Sequence, residues 1–587
     1  MDYKAEYHKW INSPVFDEET KKELKSLTDE KEIEDRFYKH LSFGTGGLRG
    51  VIGAGTNRMN VYTVGKATQG LANFINKNYK EKSVVIAYDS RRMSKEFALS
   101  CAVILCANGI KAYLFDGLRP TPELSFAVRY YGATAGIVIT ASHNPPEYNG
   151  YKVYLSDGGQ IVPPYDRLII EEVNKIEDYS LIRRTDEKSA IASGLLQIIS
   201  KEADDAFINA VKSLSLNPSV IRKQADNVKI AYTPLNGAGN MPVRRVLSEE
   251  GFKNVYVVSE QEAADGNFPT LKYPNPEDPA AFDYCLKLAE KVKADIALAT
   301  DPDADRLGIY AFDNKSGEYK SFTGNMSGLL IAEYILSQKK EKGLLPENPK
   351  DGVLVTTVVS SKMAYKIAEF YGISVKEVLT GFKYIGEQIH LYELAKAKNG
   401  GKYDGDKGAY EYLFGYEESF GCLVGTHARD KDSVSAVAML AEACAYYKDR
   451  GLTLCDQMEN IYRKYGYFKE SMQTVTLKGV AGAEKIRAIM DNLRNAPPKN
   501  IGKSKVLAIR DYLLDKRVVL SDGNALKTGL PKSNVLYYEL ENDGWCCVRP
   551  SGTEPKIKFY YGVKAASEKA AAENLSELGK SISAFTD

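Results

Sequence analysis

Apolar residues fall along this chain in two patterns. Short runs rich in Val, Ile and Ala recur at 83–89 (SVVIAYD), 135–140 (AGIVIT), 227–233 (NVKIAYT), 294–300 (ADIALAT) and 352–359 (GVLVTTVV). Strands buried on both faces, as in a parallel sheet, have this composition. Between them lie longer stretches with helical spacing, such as 94–109 (SKEFALSCAVILCANG) and 278–294 (DPAAFDYCLKLAEKVKA). Ser94 is placed to cap the first of these helices and Gly109 to stop it. Repeated alternation of strand and helix predicts an α/β architecture for most of the chain.

The last quarter differs. KIKFYYGV (556–563) alternates as a strand with one buried face does, and 565–582 has the periodicity of a charged amphipathic helix. That combination predicts an α+β tail domain. Polar residues 176–194 close a first unit, and the helix-like stretches at 201–216 and 323–336 open a second and a third. The predicted domains are 1–197, 198–322, 323–455 and 456–587.

Composition fits this division. At about 150 residues per domain, 587 residues suggest four domains. Charge is balanced, 78 basic against 77 acidic residues, or +1. No nucleic-acid footprint or polybasic membrane patch is therefore expected. The eight cysteines form no CxxC pair, and with five histidines there is no HExxH. Zinc ribbons, thioredoxin-like sites and zincins drop out. The opening MDYKAEYHKWINSP has no apolar signal-peptide core. No run approaches the 18 or so apolar residues of a membrane span. The expectation is a soluble, cytoplasmic protein with reduced thiols.

Candidate chemistry sits in five loops. Thr140-Ala141-Ser142-His143-Asn144-Pro145 follows the 135–140 run directly, where α/β proteins place ligand groups. Ser142 is a candidate nucleophile, although a plain Ser/Asn/Pro turn has the same composition. Asp301-Pro302-Asp303-Ala304-Asp305-Arg306 follows the 294–300 run, and three alternating carboxylates suit a hard cation such as Mg²⁺. Arg306 and Phe312 stand where an EF-hand needs Gly and Glu, which excludes that motif. Phe43 to Gly50 (FGTGGLRG) is neither a Rossmann fingerprint nor a Walker loop, yet its glycines and Arg49 could cradle a phosphate. Gly415 to Gly421 (GYEESFG) carries carboxylates and a hydroxyl suited to polyols. Arg549-Pro550-Ser551-Gly552-Thr553-Glu554-Pro555 suits a phosphate dianion.

Taken together and in this order, the five motifs resemble those of the α-D-phosphohexomutases, the phosphoglucomutase and phosphomannomutase family. TASHNP resembles the phosphoserine loop, DPDADR the metal loop, GYEESFG the sugar loop, RPSGTEP the phosphate loop and FGTGGLRG the N-terminal arginine motif. The resemblance implies three similar α/β domains with mixed sheets and a TATA-binding-protein-like α+β fourth domain, around a central cleft.

It also implies the chemistry. Ser142 would carry a phosphoryl group, with Mg²⁺ held by Asp301, Asp303, Asp305 and Ser142 itself. Arg49, His143 and Lys152 would stabilise charge and move protons. Thr380, Gly381 and Lys383 (TGFK) would read sugar orientation, and Glu417 and Ser419 would bind sugar hydroxyls. Lys431 and Arg306 would contact substrate. Arg549, Ser551, Gly552 and Thr553 would hold the non-reacting phosphate. The implied reaction is the interconversion of glucose 1-phosphate and glucose 6-phosphate through glucose 1,6-bisphosphate, by a monomer or weak homodimer acting on small sugar phosphates.

Tyr416 and Pro302 resemble the long branch that also holds phosphopentomutases, so ribose and deoxyribose phosphates stay open. Mannose phosphate is less favoured, because GEMSGH is absent. A DxD phosphatase would need Thr or Val at Asp305. A non-catalytic sensor would not need Ser142 and all three Asp.

Overall fold

The computed structural model describes residues 2–586 except Thr45, Lys478 and 552–555. The chain forms two compact units. One is built from residues 1–327 and 382–455, the other from 328–381 and 456–587.

The first unit contains two complete mixed sheets. The N-terminal sheet is made of β1 (Gly47–Val51), β2 (Ser83–Tyr88), β3 (Lys111–Phe115), β4 (Ala135–Ile139), β5 (Tyr148–Leu155) and β6 (Leu196–Ile199). Their order is β1-β5-β4-β2-β3-β6. The β4-β2-β3-β6 segment is parallel, while β5 runs antiparallel to both β4 and β1. All five residues of β4 and the last five of β2 are buried, as their unbroken apolar runs predict.

The second sheet repeats this plan with β7 (Lys229–Thr233), β8 (Asn254–Val257), β9 (Ile296–Thr300), β10 (Leu307–Asp313) and β11 (Glu318–Phe322), in the order β11-β10-β9-β7-β8. Here β9-β7-β8 is parallel and β10 and β11 run antiparallel. The predicted runs at 135–140 and 294–300 thus occupy the same place in two sheets.

Further along, β12 (Gly352–Thr357) and β13 (Ser374–Val378) pair in parallel in the second unit. β14 (Glu411–Tyr416) and β15 (Cys422–Leu423) form an antiparallel pair in the first.

The C-terminal sheet comprises β16 (Tyr467–Thr476), β17 (Asn500–Ile501), β18 (Ser504–Asp511), β19 (Lys516–Val519), β20 (Ala525–Leu526), β21 (Leu536–Leu540), β22 (Trp545–Pro550) and β23 (Lys556–Ala565). Its pairings are antiparallel. Helices Gly479–Asn495 and Glu568–Ser583 pack on it through Ile486, Met490, Leu578 and Ile582. This is the predicted α+β domain, and the three preceding segments are α/β.

Two local expectations change. Ser94 lies inside helix Ser94–Ala107. The cap is Met93 at φ 64°, with no side-chain cap bond, because the Ser94 hydroxyl donates instead to Asp89 Oδ1 at 2.8 Å. Residues 47–50 of the glycine-rich segment belong to strand β1 rather than to an open loop. Gly47 (φ 137°) lies so close to β5 that a Cβ would sit 1.7 Å from the Tyr151 carbonyl oxygen.

The second unit also holds an ion-pair ladder. Lys362 and Arg510 both pair with Glu377, the Arg510 contact at 2.6 Å. Arg510 and Arg517 both pair with Glu539, at 2.6 and 2.7 Å. The ladder lies along the Tyr537–Trp545 stack, with Lys362 Nζ 5.1 Å from the Tyr537 ring. Lys362, Tyr365, Arg510, Tyr537, Glu539 and Trp545 help to line a cavity of about 1090 Å³.

Candidate active site

Three turns of the first unit share one topological position. Each joins a strand to the antiparallel strand that follows it: residues 140–147 between β4 and β5, 301–306 between β9 and β10, and 417–421 between β14 and β15. Each holds one non-glycine residue in the left-handed region: Ser142 (φ 51°), Ala304 (φ 49°) and Phe420 (φ 62°). The second turn is tied to the third and to two neighbouring helices. Leu307 N donates to the Phe420 carbonyl at 2.9 Å, and Thr121 N to the Asp303 carbonyl at 2.9 Å. The Ser433 hydroxyl donates to the Ala304 carbonyl at 2.6 Å.

Ser142 is 3% exposed. Its hydroxyl donates to Asp301 Oδ2 at 2.7 Å and lies 3.1 Å from His143 Nδ1. Burial, helped by the Arg306 and Arg49 guanidinium groups, pushes the His143 imidazole well below its ordinary value. A neutral ring of this kind can accept a proton at neutral pH.

The three aspartates are buried, with one carboxylate oxygen from each lying within 4.8 Å of the others. Lys152, on β5, donates to Asp303 Oδ2 at 2.8 Å and to Asp305 Oδ2 at 3.3 Å. Lys431 lies 3.1 Å from Asp305 Oδ2. Arg306 pairs with Glu277.

These cations do not neutralise the cluster alone, since they also serve Glu277 and Asp430. Burial, reinforced by the neighbouring Asp303 and Asp305, pushes the Asp301 carboxyl well above the usual range. Asp305 goes the other way. Burial opposes its charge, but Lys431 and Lys152 outweigh burial and hold it below its ordinary value.

Asp303 Oδ1 and Asp305 Oδ1 are buried and have no hydrogen-bond partner. An orphaned buried carboxylate oxygen is costly unless a cation completes it. Two such atoms in an all-oxygen donor set fit a hard divalent ion.

The other expected residues fall into three groups. Arg49, exposed on β1, donates to Asn144 Oδ1 at 3.2 Å beside the Ser142 turn. Glu417 is buried, and its charge acts on Arg306 and Lys431. Ser419 lies in the third turn, and Lys383 sits in the first turn of helix Phe382–Lys398. Thr380 and Gly381 belong to the second unit, where they follow β13. Arg549 is on β22 of that unit, and Ser551 N donates to the Lys556 carbonyl at 2.7 Å. Gly552 and Thr553 lie outside the described residues.

Sequence reasoning missed the support of the Ser142 turn. Thr140 Oγ1 accepts from Ser142 N at 2.8 Å and donates to Asp89 Oδ2 at 2.6 Å. Arg91 reaches the carbonyls of the same turn. Both Asp89 and Arg91 follow β2, so the strand-end rule that singled out Ser142 applies to them equally.

Models of the phosphoglucomutase/phosphomannomutase family match the chain along most of its length: α/β/α domain I at 40–180, domain II at 205–314, domain III at 323–465, and the C-terminal domain at 515–577. A phosphoglucomutase of Staphylococcus saprophyticus is 36% identical over 577 residues, covering 98% of each chain. One of Staphylococcus aureus is 35% identical, covering 94% of each. Among solved structures, the open form of the Paramecium phosphoglucomutase parafusin superposes with a TM-score of 0.67 at 17% identity, over 93% of this chain and 95% of that one. A Thermus thermophilus putative phosphomannomutase gives 0.65 at 21%, over 93% and 99%. These last two speak for the fold alone. The family models and the near full-length relatives identify the chain as a member of the phosphoglucomutase/phosphomannomutase family.

Proposed function

We propose that this protein is a cytoplasmic α-phosphoglucomutase that interconverts glucose 1-phosphate and glucose 6-phosphate. The observation that carries the proposal is the Ser142 hydroxyl, 2.7 Å from Asp301 beside two orphaned carboxylate oxygens. Relatives at 35–36% identity that bear the name phosphoglucomutase support the choice of sugar.

Ser142 carries the phosphoryl group and passes it to the free hydroxyl of a bound hexose monophosphate. The resulting glucose 1,6-bisphosphate turns over, and its other phosphate returns to Ser142. Phosphoryl transfer depends mainly on positioning and charge stabilisation. Lys152, Lys431, Arg306 and Arg49 supply positive charge around the transferred group. His143, neutral and 3.1 Å from the Ser142 oxygen, exchanges the hydroxyl proton. Glu417 and Ser419 bind sugar hydroxyls, and Thr380, Gly381 and Lys383 read sugar orientation. Arg549, Ser551, Gly552 and Thr553 take the non-reacting phosphate. Asp301, Asp303 and Asp305 would hold Mg²⁺, which when bound supplies further positive charge to the phosphoryl oxygens.

The test is a coupled assay with glucose 1-phosphate, Mg²⁺ and a trace of glucose 1,6-bisphosphate. Ribose 1-phosphate and mannose 1-phosphate run beside it. Glucose 6-phosphate should form fastest. No product from glucose 1-phosphate at any Mg²⁺ concentration would sink the proposal, and faster turnover of ribose 1-phosphate would reassign it to pentose phosphates.

A further inference from the structure

Behind the Ser142 turn lies an arginine with an unusual set of partners. Arg91 follows β2, and its side chain is fully buried. Nη2 donates to the Ser142 carbonyl at 2.5 Å and also to that of Asn144; Nε reaches the Ser142 carbonyl at 3.2 Å. Nη1 donates to the Pro145 and Tyr148 carbonyls at 2.8 and 3.0 Å. One guanidinium therefore gathers three backbone oxygens from the turn and a fourth from the first residue of β5.

Its nearest carboxylate, Asp89, is 3.5 Å away and accepts from Arg91 N, Ser94 Oγ and Thr140 Oγ1 instead. Arg91 therefore keeps a buried ion pair with Asp89, while its guanidinium hydrogen bonds go to backbone carbonyls of the turn and of the first residue of β5.

Ser142 needs such a hold. A non-glycine residue in the left-handed region is strained and persists only where its surroundings over-determine it. Its peptide is gripped at both ends, the N–H by Thr140 Oγ1 at 2.8 Å and the carbonyl by Arg91. Hydrogen bonds from a charged donor are the stronger class, and the planar guanidinium fork matches several carbonyls at once. Lysine would keep the charge but offer a single point.

We propose that Arg91 is the positioning residue of the phosphoryl-carrying serine. By pinning the turn's carbonyls on the buried side, it holds the Ser142 oxygen aimed at Asp301 and the site, with or without a phosphoryl group attached. It touches neither the sugar phosphate nor the reacting atoms. Loss of the clamp therefore slows transfer and leaves sugar-phosphate affinity unchanged. This inference rests on Ser142 being the phosphoryl carrier.

The test compares wild type with Arg91→Lys and Thr140→Val. It measures kcat and KM for glucose 1-phosphate, thermal unfolding, and the rate at which Ser142 is phosphorylated by glucose 1,6-bisphosphate, read by intact mass. Arg91→Lys should stay folded, lose about 100-fold in kcat and in phosphorylation rate, and keep KM within about threefold. Thr140→Val, which frees the N–H end and also removes a hydrogen bond to Asp89, should lose about tenfold in kcat. Arg91→Lys with kcat within about fivefold of wild type, or with an effect mainly on KM, would overturn the positioning role alone. If Arg91→Lys does not fold, Thr140→Val decides, and an unchanged kcat there overturns the proposal. A wild-type protein that transfers no phosphoryl group would bring down the functional proposal and this one together.

Discussion

Two of the molecule's charge clusters, one in each unit, make an instructive pair. The aspartate cluster joins Asp301, Asp303 and Asp305 to Lys152 and Lys431, and leaves two buried carboxylate oxygens without hydrogen bonds. The ladder of Lys362, Glu377, Arg510, Glu539 and Arg517 leaves none of its buried polar atoms in that state. Both combine carboxylates and cations, the first buried and the second half-buried. Only the first carries unmet demand, and there the two bare oxygens belong to a donor set that fits a cation. The ladder is saturated. Its cations already have partners, so the cavity beside it is walled by structure.

The widest separation between the clusters should come from neutralising one carboxylate in each. Asp301→Asn should lower mutase activity by at least about 10³-fold. Its unfolding temperature in chelator should hold or rise, since one of three crowded buried charges is gone. Glu377→Gln should do the reverse. Activity should stay within tenfold, while stability drops by about 1–3 kcal/mol as half-buried Lys362 loses its carboxylate partner and Arg510 keeps only Glu539. Activity assays and calorimetry on the two variants check both claims, and parallel losses of activity and stability would erase the distinction.

A smaller effect separates them by pH. Burial alone would raise the Glu539 carboxyl, but the Arg517 hydrogen bonds and the Arg510 charge bring it down to about 2, from 4.5. A depressed acid stabilises the fold fully above its unfolded value and loses that contribution as pH falls through the folded one. The second unit should therefore weaken between about pH 4.5 and 2, by at most about 3 kcal/mol from this group. Trp545 fluorescence in a Trp10→Phe background reports it. Glu539→Gln should flatten that acid limb, and an unchanged limb would remove Glu539 as its source.

The sequence made the buried strands and the turns after them legible for one physical reason. A strand covered on both faces must be apolar throughout, so any polar cluster at its end stands out. That exposed Ser142 after β4 and Asp301 to Asp305 after β9. It could equally have exposed Asp89 and Arg91 after β2, but a lone Asp-Ser-Arg is a smaller signal than three alternating aspartates. β1 stayed hidden because its glycines serve close approach to β5 and imitate a loop. Ser94 had the position of a cap, yet its hydroxyl was claimed by Asp89, a partner that no local pattern indicates. Lys152 and Asp303 are 151 residues apart, and their contact exists only once two sheets are in place. Family motifs pointed to both residues, whereas spacing along the chain pointed to neither pairing.

The three left-handed turns carry one last consequence. Ser142, Ala304 and Phe420 share a backbone conformation but not a chemistry. The shape of the turn is set by its place between a strand and its antiparallel neighbour, which leaves the side chains free to diversify. The hydrogen bonds from Leu307 to Phe420 and from Ser142 to Asp301 then restrict how far any one turn can shift without disturbing another. A graft of one turn from a distant homologue should be tolerated in its side chains and rejected in its length. The modularity of this site lies in what the turns display, while their frame is inherited as a set.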